Sequence, residues 1–283
     1  MDRFERLAGA LRRIPGLEVR ENEPMKRHTT FRIGGPARLM ALPRSRKEAA
    51  AAVRAATEVG IAPFFLGNGS NLLVADHGYE GFVLKACGLD QVREVNRRLR
   101  AESGITLARL ANAALGRGLT GLEFAWGIPG SVGGAAYMDA GAYGGEMKDV
   151  ITHVTACLPD GRTVAYSNEE MDFGYRKSKI NQQPEPIAIT SVTVALTPAD
   201  EETVRATMRE FSARRREKQP LTLPSCGSTF KRPEGRFAGT LIEECGLKGC
   251  RVGGCSVSTL HAGFLVNDQQ GSACDYLSLI AQV

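Results

Sequence analysis

No run of about 18 or more apolar residues occurs in the sequence, so it contains no candidate membrane-spanning helix. The first residues, Met-Asp-Arg-Phe-Glu-Arg, are charged and lack the apolar stretch of a secretory leader. A cytoplasmic protein without membrane insertion is therefore expected. There is no Cys-x-x-Cys pair and no close pair of histidines. Cys245, Cys250 and Cys255 are evenly spaced but lack those companions, and no metal is expected. Seven cysteines, an odd number, speak against a disulfide framework and for reduced thiols. With 43% hydrophobic and 24% charged residues, the composition excludes disorder and fibrous repeats. Charge of one sign is not concentrated: 36 Lys and Arg face 31 Asp and Glu, a net +5. Aromatics do not interleave with the basic residues, which excludes a nucleic-acid groove, and the modest positive balance suits a nucleotide or diphosphate.

Glycine is abundant and clustered. Residues Gly121 to Glu146 hold eight glycines, the only tryptophan and two of the six tyrosines in 26 residues. Such a stretch is too small-residued for ordinary core and too apolar for a flexible linker. Serial glycines let a backbone approach a bulky ligand and point its N–H groups at phosphate oxygens. A tight loop without a ligand is the other reading of the same composition.

The 283 residues are enough for two domains. Residues 3–14 predict an amphipathic helix with Phe4, Leu7, Ala8 and Leu11 on one face, ended by Pro15-Gly16. A strand follows at Ala37–Leu42. Ser45-Arg-Lys-Glu48 then reads as a capping box, with Glu48 reaching back to the cap, on an alanine-rich helix closed by Gly60. After a strand at Ala62–Leu66 comes Gly67-Asn-Gly-Ser-Asn-Leu72, and after it a strand at Gly81–Lys85. The third glycine of a dinucleotide fingerprint is missing, Leu72 standing in its place, and no clear helix opens behind it. Residues 91–103 predict a short exposed hairpin, and Thr106–Leu115 a helix. Strands at Ile151–Leu158 and Thr163–Tyr166 flank the turn Pro159-Asp-Gly161, and Pro186–Leu196 adds another, which makes this half antiparallel and α+β. A helix from Pro198 buries Val204, Met208 and Phe211 and ends in Arg214-Arg-Arg-Glu-Lys218, where cations suit the helix dipole. Beyond Pro224 come a loop to Phe230, a short helix Gly239–Cys245 and a strand His261–Val266. A helix from Ala273 follows, with Tyr276, Ile280 and Val283 on one side.

Seven motifs occur in order. They are His28-Thr-Thr-Phe-Arg-Ile-Gly-Gly35, Leu66-Gly-Asn-Gly-Ser-Asn-Leu72, Gly127-Ile-Pro-Gly-Ser-Val-Gly-Gly134, Ala140-Gly-Ala-Tyr-Gly-Gly-Glu146, Tyr175-Arg-Lys-Ser178, Ser225-Cys-Gly-Ser-Thr-Phe-Lys231 and His261-Ala-Gly-Phe264. Together they resemble the UDP-N-acetylenolpyruvoylglucosamine reductases, flavoenzymes of peptidoglycan precursor synthesis. The resemblance implies an α+β fold: a vanillyl-alcohol-oxidase-type FAD-binding domain of two α+β subdomains, about 1–86 and 87–205, and a smaller α+β substrate-binding domain, 206–283. It implies FAD held by Gly67, Asn68, Gly69, Ser70 and Asn71 on one side and by Gly130, Ser131, Gly133 and Gly134 on the other. Glycine, serine and asparagine N–H groups in series make an anion-binding nest without a lysine.

The implied reaction passes a hydride from NADPH, the co-substrate, through FAD to C3 of UDP-N-acetylglucosamine enolpyruvate, giving UDP-N-acetylmuramate. Charge then develops at C2 and on the carboxylate, which calls for donors there and a proton source. By its match to the family motif, Arg176 polarises the carboxylate, Tyr175 contacts the substrate beside it, and Ser228 gives the proton to C2. Lys218 and Arg214 are candidates for the substrate diphosphate, a role that competes with their suitability for the helix dipole. A monomer is expected.

Three departures from the family pattern stand out. Asp139 replaces the usual asparagine and puts a carboxylate near the flavin. Leu260 replaces a common lysine. The family also supplies a catalytic glutamate from a segment beyond the last helix that no residue here matches, so truncation at the C-terminus is expected. A catalytically impaired FAD-binding protein is thus a second reading. An FAD-dependent carbohydrate oxidase of the same superfamily is a third, against which Tyr175-Arg176 and Ser228 argue.

Overall fold

A computed structural model describes residues 2–283. They form two compact units. One comprises the residues up to Glu21 with Leu39–Asn68 and Gly81–Ser212, and the other Asn22–Arg38, Gly69–Glu80 and Ala213–Val283.

In the first unit, helix Arg3–Arg12 buries Phe4, Leu7, Ala8 and Leu11, the face its spacing predicts. Helix Arg46–Glu58 turns Ala49, Ala52, Val53 and Ala56 to the same core, where they meet Leu39, Ala41, Phe82 and Leu84. Ser45 accepts the Glu48 amide as expected, but Glu48 takes the Arg44 amide and the Ser45 hydroxyl. Gly60 ends the helix in the left-handed region, φ 68°. These helices accompany a four-stranded sheet of order Glu18–Pro24, Pro36–Leu42, Tyr79–Lys85, Pro63–Leu66. Its last two strands are parallel, with Leu66 opposite Lys85.

The second sheet of this unit is antiparallel throughout, in the order Thr163–Ser167, Ile151–Cys157, Ala188–Val194, Arg98–Glu102, Val92–Val95. Tyr166, Val154, Val192, Ala101 and Val92 line up across it, and the middle three are fully buried. Helices Leu107–Leu115 and Val132–Tyr137 belong to the same core. The hairpin at 92–102 turns through Asn96 and Arg97, both at positive φ, the geometry of a two-residue hairpin turn. It is not wholly exposed, contrary to expectation. Arg98–Glu102 is an interior strand, and Leu99 and Ala101 are buried.

In the second unit, strands Ser225–Ser228, Phe264–Asn267, Cys255–Val257 and Arg251–Val252 pair antiparallel in that order. The predicted strand from His261 starts only at Phe264. Residues His261–Gly263 are a turn, closed by the Phe264 amide on the His261 carbonyl at 2.9 Å and the Gly263 amide on His261 Nδ1 at 3.1 Å. Helix Ala273–Gln282 buries Ala273, Tyr276 and Leu279. Leu279, absent from the predicted face, lies deeper than Ile280 and Val283, which are only half-buried. The helix start is held twice over: Ser272 and Asp275 form a capping box, and Asp76 accepts from Ala273 N at 2.8 Å and Cys274 N at 3.1 Å.

The units part between Ser212 and Ala213, inside helix Glu201–Lys218. The C-terminal unit also takes in residues 22–38 and 69–80, which a linear division at 205 leaves with the first domain. The reason is hydrophobic: Phe31 and Ile33 share a core with Val257, Leu265, Tyr276 and Leu279. All seven thiols are free.

Candidate functional site

Strand Pro63–Leu66 delivers Gly67 and Asn68 beside the start of helix Val132–Tyr137. Asn68 Nδ2 donates to the Pro129 carbonyl at 2.6 Å. A Cβ on Gly67 would overlap Ser131 Oγ and lie 3.2 Å from Ser131 Cβ, so glycine at 67 leaves the room that the Ser131 side chain occupies. Ser131 is buried and caps the helix, its Oγ accepting the Gly134 amide at 3.3 Å. Gly67, Asn68, Gly130 and Ser131, four of the predicted cofactor residues, are thus brought together.

The glycines that follow do different work. Val132 N donates to the Ile105 carbonyl at 2.9 Å and Gly133 N to the Ser103 carbonyl at 2.8 Å. With the Gly134 amide on Ser131 Oγ, these three N–H groups are already used. Gly133 instead permits contact, since a Cβ there would stand 2.7 Å from Ser103 Cβ. Among the described residues, the amides of Asn68, Gly130 and Ser131 donate to no protein acceptor. They are unspent donors that can face an anion. Ser103, which sequence reasoning missed, has a buried hydroxyl without a partner among the described residues.

Tyr175 and Arg176 form the tip of a two-residue turn closed by reciprocal bonds between Gly174 and Lys177, at 3.0 and 2.8 Å. Arg176 sits at φ 57°, a left-handed conformation uncommon for arginine. Asn181 holds it there. Its Nδ2 donates to the Arg176 carbonyl at 3.2 Å while its Oδ1 accepts the Ser178 amide at 3.0 Å. Fully buried Ser178 in turn donates to the Tyr137 carbonyl at 2.6 Å. The Arg176 guanidinium reaches back to the glycine-rich stretch, Nη1 to the Asp139 carbonyl at 3.0 Å and Nη2 to the Gly141 carbonyl at 3.4 Å. Two of its five N–H groups are thereby committed, and the rest can meet an anion. Tyr175 is exposed, with the guanidinium 5.1 Å above its ring.

Asp139 is fully buried and at φ 43°. Its Oδ1 accepts the Lys148 amide at 2.9 Å, whereas Oδ2 has no hydrogen bond among the described residues and lies 3.9 Å from Lys148 Nζ. Burial pushes its carboxyl above the usual carboxylate range, against the pull of the Lys148 amide.

The second unit carries Gly69, Ser70 and Asn71. Gly69, at φ 64°, presses on the His28 segment so closely that a Cβ would overlap the His28 carbonyl oxygen. Its own carbonyl accepts the Thr30 amide at 3.1 Å. The amides of Gly69 and Ser70 donate to no protein acceptor among the described residues. In the same unit His28 Nε2 and Glu23 Oε1 form a buried pair at 2.8 Å. Ser228 is exposed at the end of strand Ser225–Ser228. Arg214 and Lys218, one helical turn apart on one face, are both exposed, while Arg215 between them is buried.

Residues 219–283 match the family model described as the C-terminal domain of UDP-N-acetylenolpyruvoylglucosamine reductase, and residues 37–167 match an FAD binding domain. The UDP-N-acetylenolpyruvoylglucosamine reductase of Syntrophomonas wolfei is 47% identical over 271 residues, 95% of this chain and 90% of the relative. The crystal structure of UDP-N-acetylenolpyruvylglucosamine reductase from Thermus caldophilus superposes with a TM-score of 0.81 at 35% identity, covering 94% of this chain and 93% of that one. Glucooligosaccharide oxidase from Acremonium strictum, an FAD protein, shares the fold alone: TM-score 0.52 and 16% identity over 68% of this chain and 43% of its own. With an FAD-type α+β fold and near-complete coverage at this identity, the chain belongs to the UDP-N-acetylenolpyruvoylglucosamine reductase family.

Proposed function

We propose that this chain binds FAD and, with NADPH as co-substrate, reduces UDP-N-acetylglucosamine enolpyruvate to UDP-N-acetylmuramate. The observation that carries the reading is the Arg176 turn, locked by Asn181 and braced on the carbonyls of Asp139 and Gly141. It presents a fixed cation against the glycine-rich stretch that also carries Gly130 and Ser131. Each unit by itself offers what an anionic cofactor needs: the first has unspent amides at Asn68, Gly130 and Ser131 beside Gly67, and the second has close backbone approach at Gly69 with unspent amides at Gly69 and Ser70. Asn71, Gly133 and Gly134 complete the residues we assign to FAD. We assign FAD binding to residues 1–205 and substrate binding to 206–283.

When bound, FAD would supply the two-electron chemistry that links NADPH to C3 of the enolpyruvyl group. The protein's part is electrostatic and protic. As negative charge gathers at C2 and on the substrate carboxylate, Arg176 offers a planar fork of donors to it. Ser228 gives its hydroxyl proton to C2 and is reprotonated from solvent. A serine suffices because the carbanionic centre is far more basic than its alkoxide. Arg214 and Lys218 take the diphosphate, and Tyr175 lies against the substrate. Both substrates are small cytoplasmic anions, and we place the protein in the cytoplasm as a monomer serving peptidoglycan precursor synthesis and, through it, cell shape and division.

The purified protein should be yellow, bleach anaerobically with NADPH, and recover colour on adding the enolpyruvyl substrate. A colourless protein refutes the FAD site, and recovery with oxygen but not with substrate refutes the reductase reading. Ser228→Ala should keep NADPH bleaching and lose substrate reoxidation by about a hundredfold or more, the usual worth of a general acid. Equal loss of both half-reactions counts against a proton donor.

A further inference from the structure

Ser228 has little of its own to hold it. The pairing of its strand slips between Ser225, opposite Val266, and Ser228, opposite Phe264, so that one side advances three residues while the other advances two. This is a β-bulge, whose extra residue is left out of the ladder. Gly227, at φ 86°, lies in it with no atom within 4 Å of where a Cβ would be. The ends of the bulged segment are fixed by backbone bonds. Thr30 Oγ1 donates to the Ser225 carbonyl at 2.7 Å, and Thr229 N donates to the Gly263 carbonyl at 2.9 Å. Between them one side chain reaches both flanks of Ser228. The Tyr276 hydroxyl lies 2.9 Å from Thr229 Oγ1 and 3.5 Å from Cys226 Sγ.

Tyr276 is built to hold its place. It is 3% exposed, meets the Phe31 ring edge-on at 4.5 Å, and stands on the helix start that Asp76 and Ser272 cap. Burial and the neighbouring Cys226 thiol push its phenol well above the usual range, so it stays a neutral hydroxyl that can donate one bond and accept another. A buried hydroxyl with two partners on either side of an unpacked bulge restricts the bulge to one shape.

We propose that Tyr276 is a positioning residue for Ser228, its hydroxyl tying Cys226 and Thr229 so that the serine between them is held at one orientation. The proposal rests on the proton-donor role of Ser228 given above. Misplacing a reacting group by an ångström costs up to about a hundredfold, and partial loosening less.

The test uses the FAD-loaded protein in anaerobic stopped flow. Tyr276→Phe keeps the ring on Phe31 and removes the clamp. Its bleaching by NADPH should stay within about twofold of wild type, while reoxidation at saturating substrate slows about tenfold with the half-saturating concentration unchanged. Thr229→Val should reproduce the defect, and Thr229→Ser, which keeps the hydroxyl, should restore the rate. In a Ser228→Ala background, Tyr276→Phe should slow reoxidation no further. The inference is overturned by a wild-type reoxidation rate in Tyr276→Phe, by equal slowing of both half-reactions, or by a further loss in the Ser228→Ala background. Ser228→Ala reoxidising at the wild-type rate would overturn the proton-donor reading itself. A slow Ser228→Ala beside a normal Tyr276→Phe sinks the clamp alone.

Discussion

Replacing Gly67 by alanine should weaken FAD binding for one steric reason. Gly67 is not at positive φ, so its backbone accepts alanine without strain. The new methyl, however, overlaps Ser131 Oγ. The hydroxyl has to rotate away, and it is the cap of helix Val132–Tyr137, accepting the Gly134 amide. Losing such a cap costs about 0.5–2 kcal/mol. The methyl then still stands 3.2 Å from Ser131 Cβ, so the neighbouring backbone has to give by a few tenths of an ångström. Together these amount to about 1–2 kcal/mol at the point where Gly130 and Ser131 offer their amides, or about a five- to thirtyfold rise in Kd. The assay is titration of apoprotein with FAD, followed by quenching of flavin fluorescence. Ser131→Ala removes the clashing oxygen in advance. The Gly67→Ala/Ser131→Ala protein should therefore bind FAD about as well as Ser131→Ala alone. Unchanged affinity in Gly67→Ala, or losses that add in the double variant, would refute the packing argument.

Arg176→Lys keeps the charge but cannot hold the carbonyls of Asp139 and Gly141 and a carboxylate at once. Reoxidation by substrate should fall about ten- to a hundredfold, corresponding to about 1.5–3 kcal/mol for charge-assisted bonds, with NADPH bleaching unaffected. A rate within about twofold of wild type would contradict it. Asp139→Asn should stabilise the protein increasingly as pH rises. The Asp139 carboxyl is pushed up by burial, so its contribution is intact below the unfolded carboxyl value and is lost as pH rises through the folded one. Thermal melts of the two proteins should converge toward acid pH and separate toward neutrality, and a constant gap would disprove the assignment. Asp76→Ala removes the carboxylate from the amides of Ala273 and Cys274 and should lower Tm by about 2–4 °C, the effect of about 1 kcal/mol. An unchanged Tm would show that Ser272 and Asp275 cap that helix unaided.

Local chemistry was legible in the sequence. The face of helix Arg3–Arg12, the Ser45 cap and the Gly60 stop follow from spacing and conformational preference, whereas the helix that opens at Val132 inside the second glycine stretch does not. What stayed hidden depends on pairing between distant segments. Nothing in Gly130-Ser-Val-Gly-Gly134 says that the amides of Val132 and Gly133 are taken by Ile105 and Ser103, because that register is decided by the fold. Asn181 is an ordinary polar residue until the turn at Arg176 places its amide on a strained carbonyl. The sequence pattern puts Ile280 and not Leu279 on the buried side of the last helix, yet Leu279 is the one that shares a core with Phe31 and Ile33 from far upstream. Those two belong to a stretch that reads as a strand end running into a turn, and their apolar character carries no hint of their partners.

That interleaving imposes an order on biosynthesis. Asn267 Nδ2 holds the Phe31 carbonyl across 236 positions of chain, and Asp76 meets Ala273 across 197. At a synthesis rate of about 5–20 residues per second, residues 22–38 and 69–80 wait on the order of ten seconds or more for their partners to leave the ribosome. Residues 39–68 and 81–212 can collapse during that wait, whereas Phe31 and Ile33 cannot be buried until Val257, Leu265 and Leu279 have been made. A nascent chain stalled before residue 213 should therefore leave Phe31 and Ile33 without their core partners and open to protease.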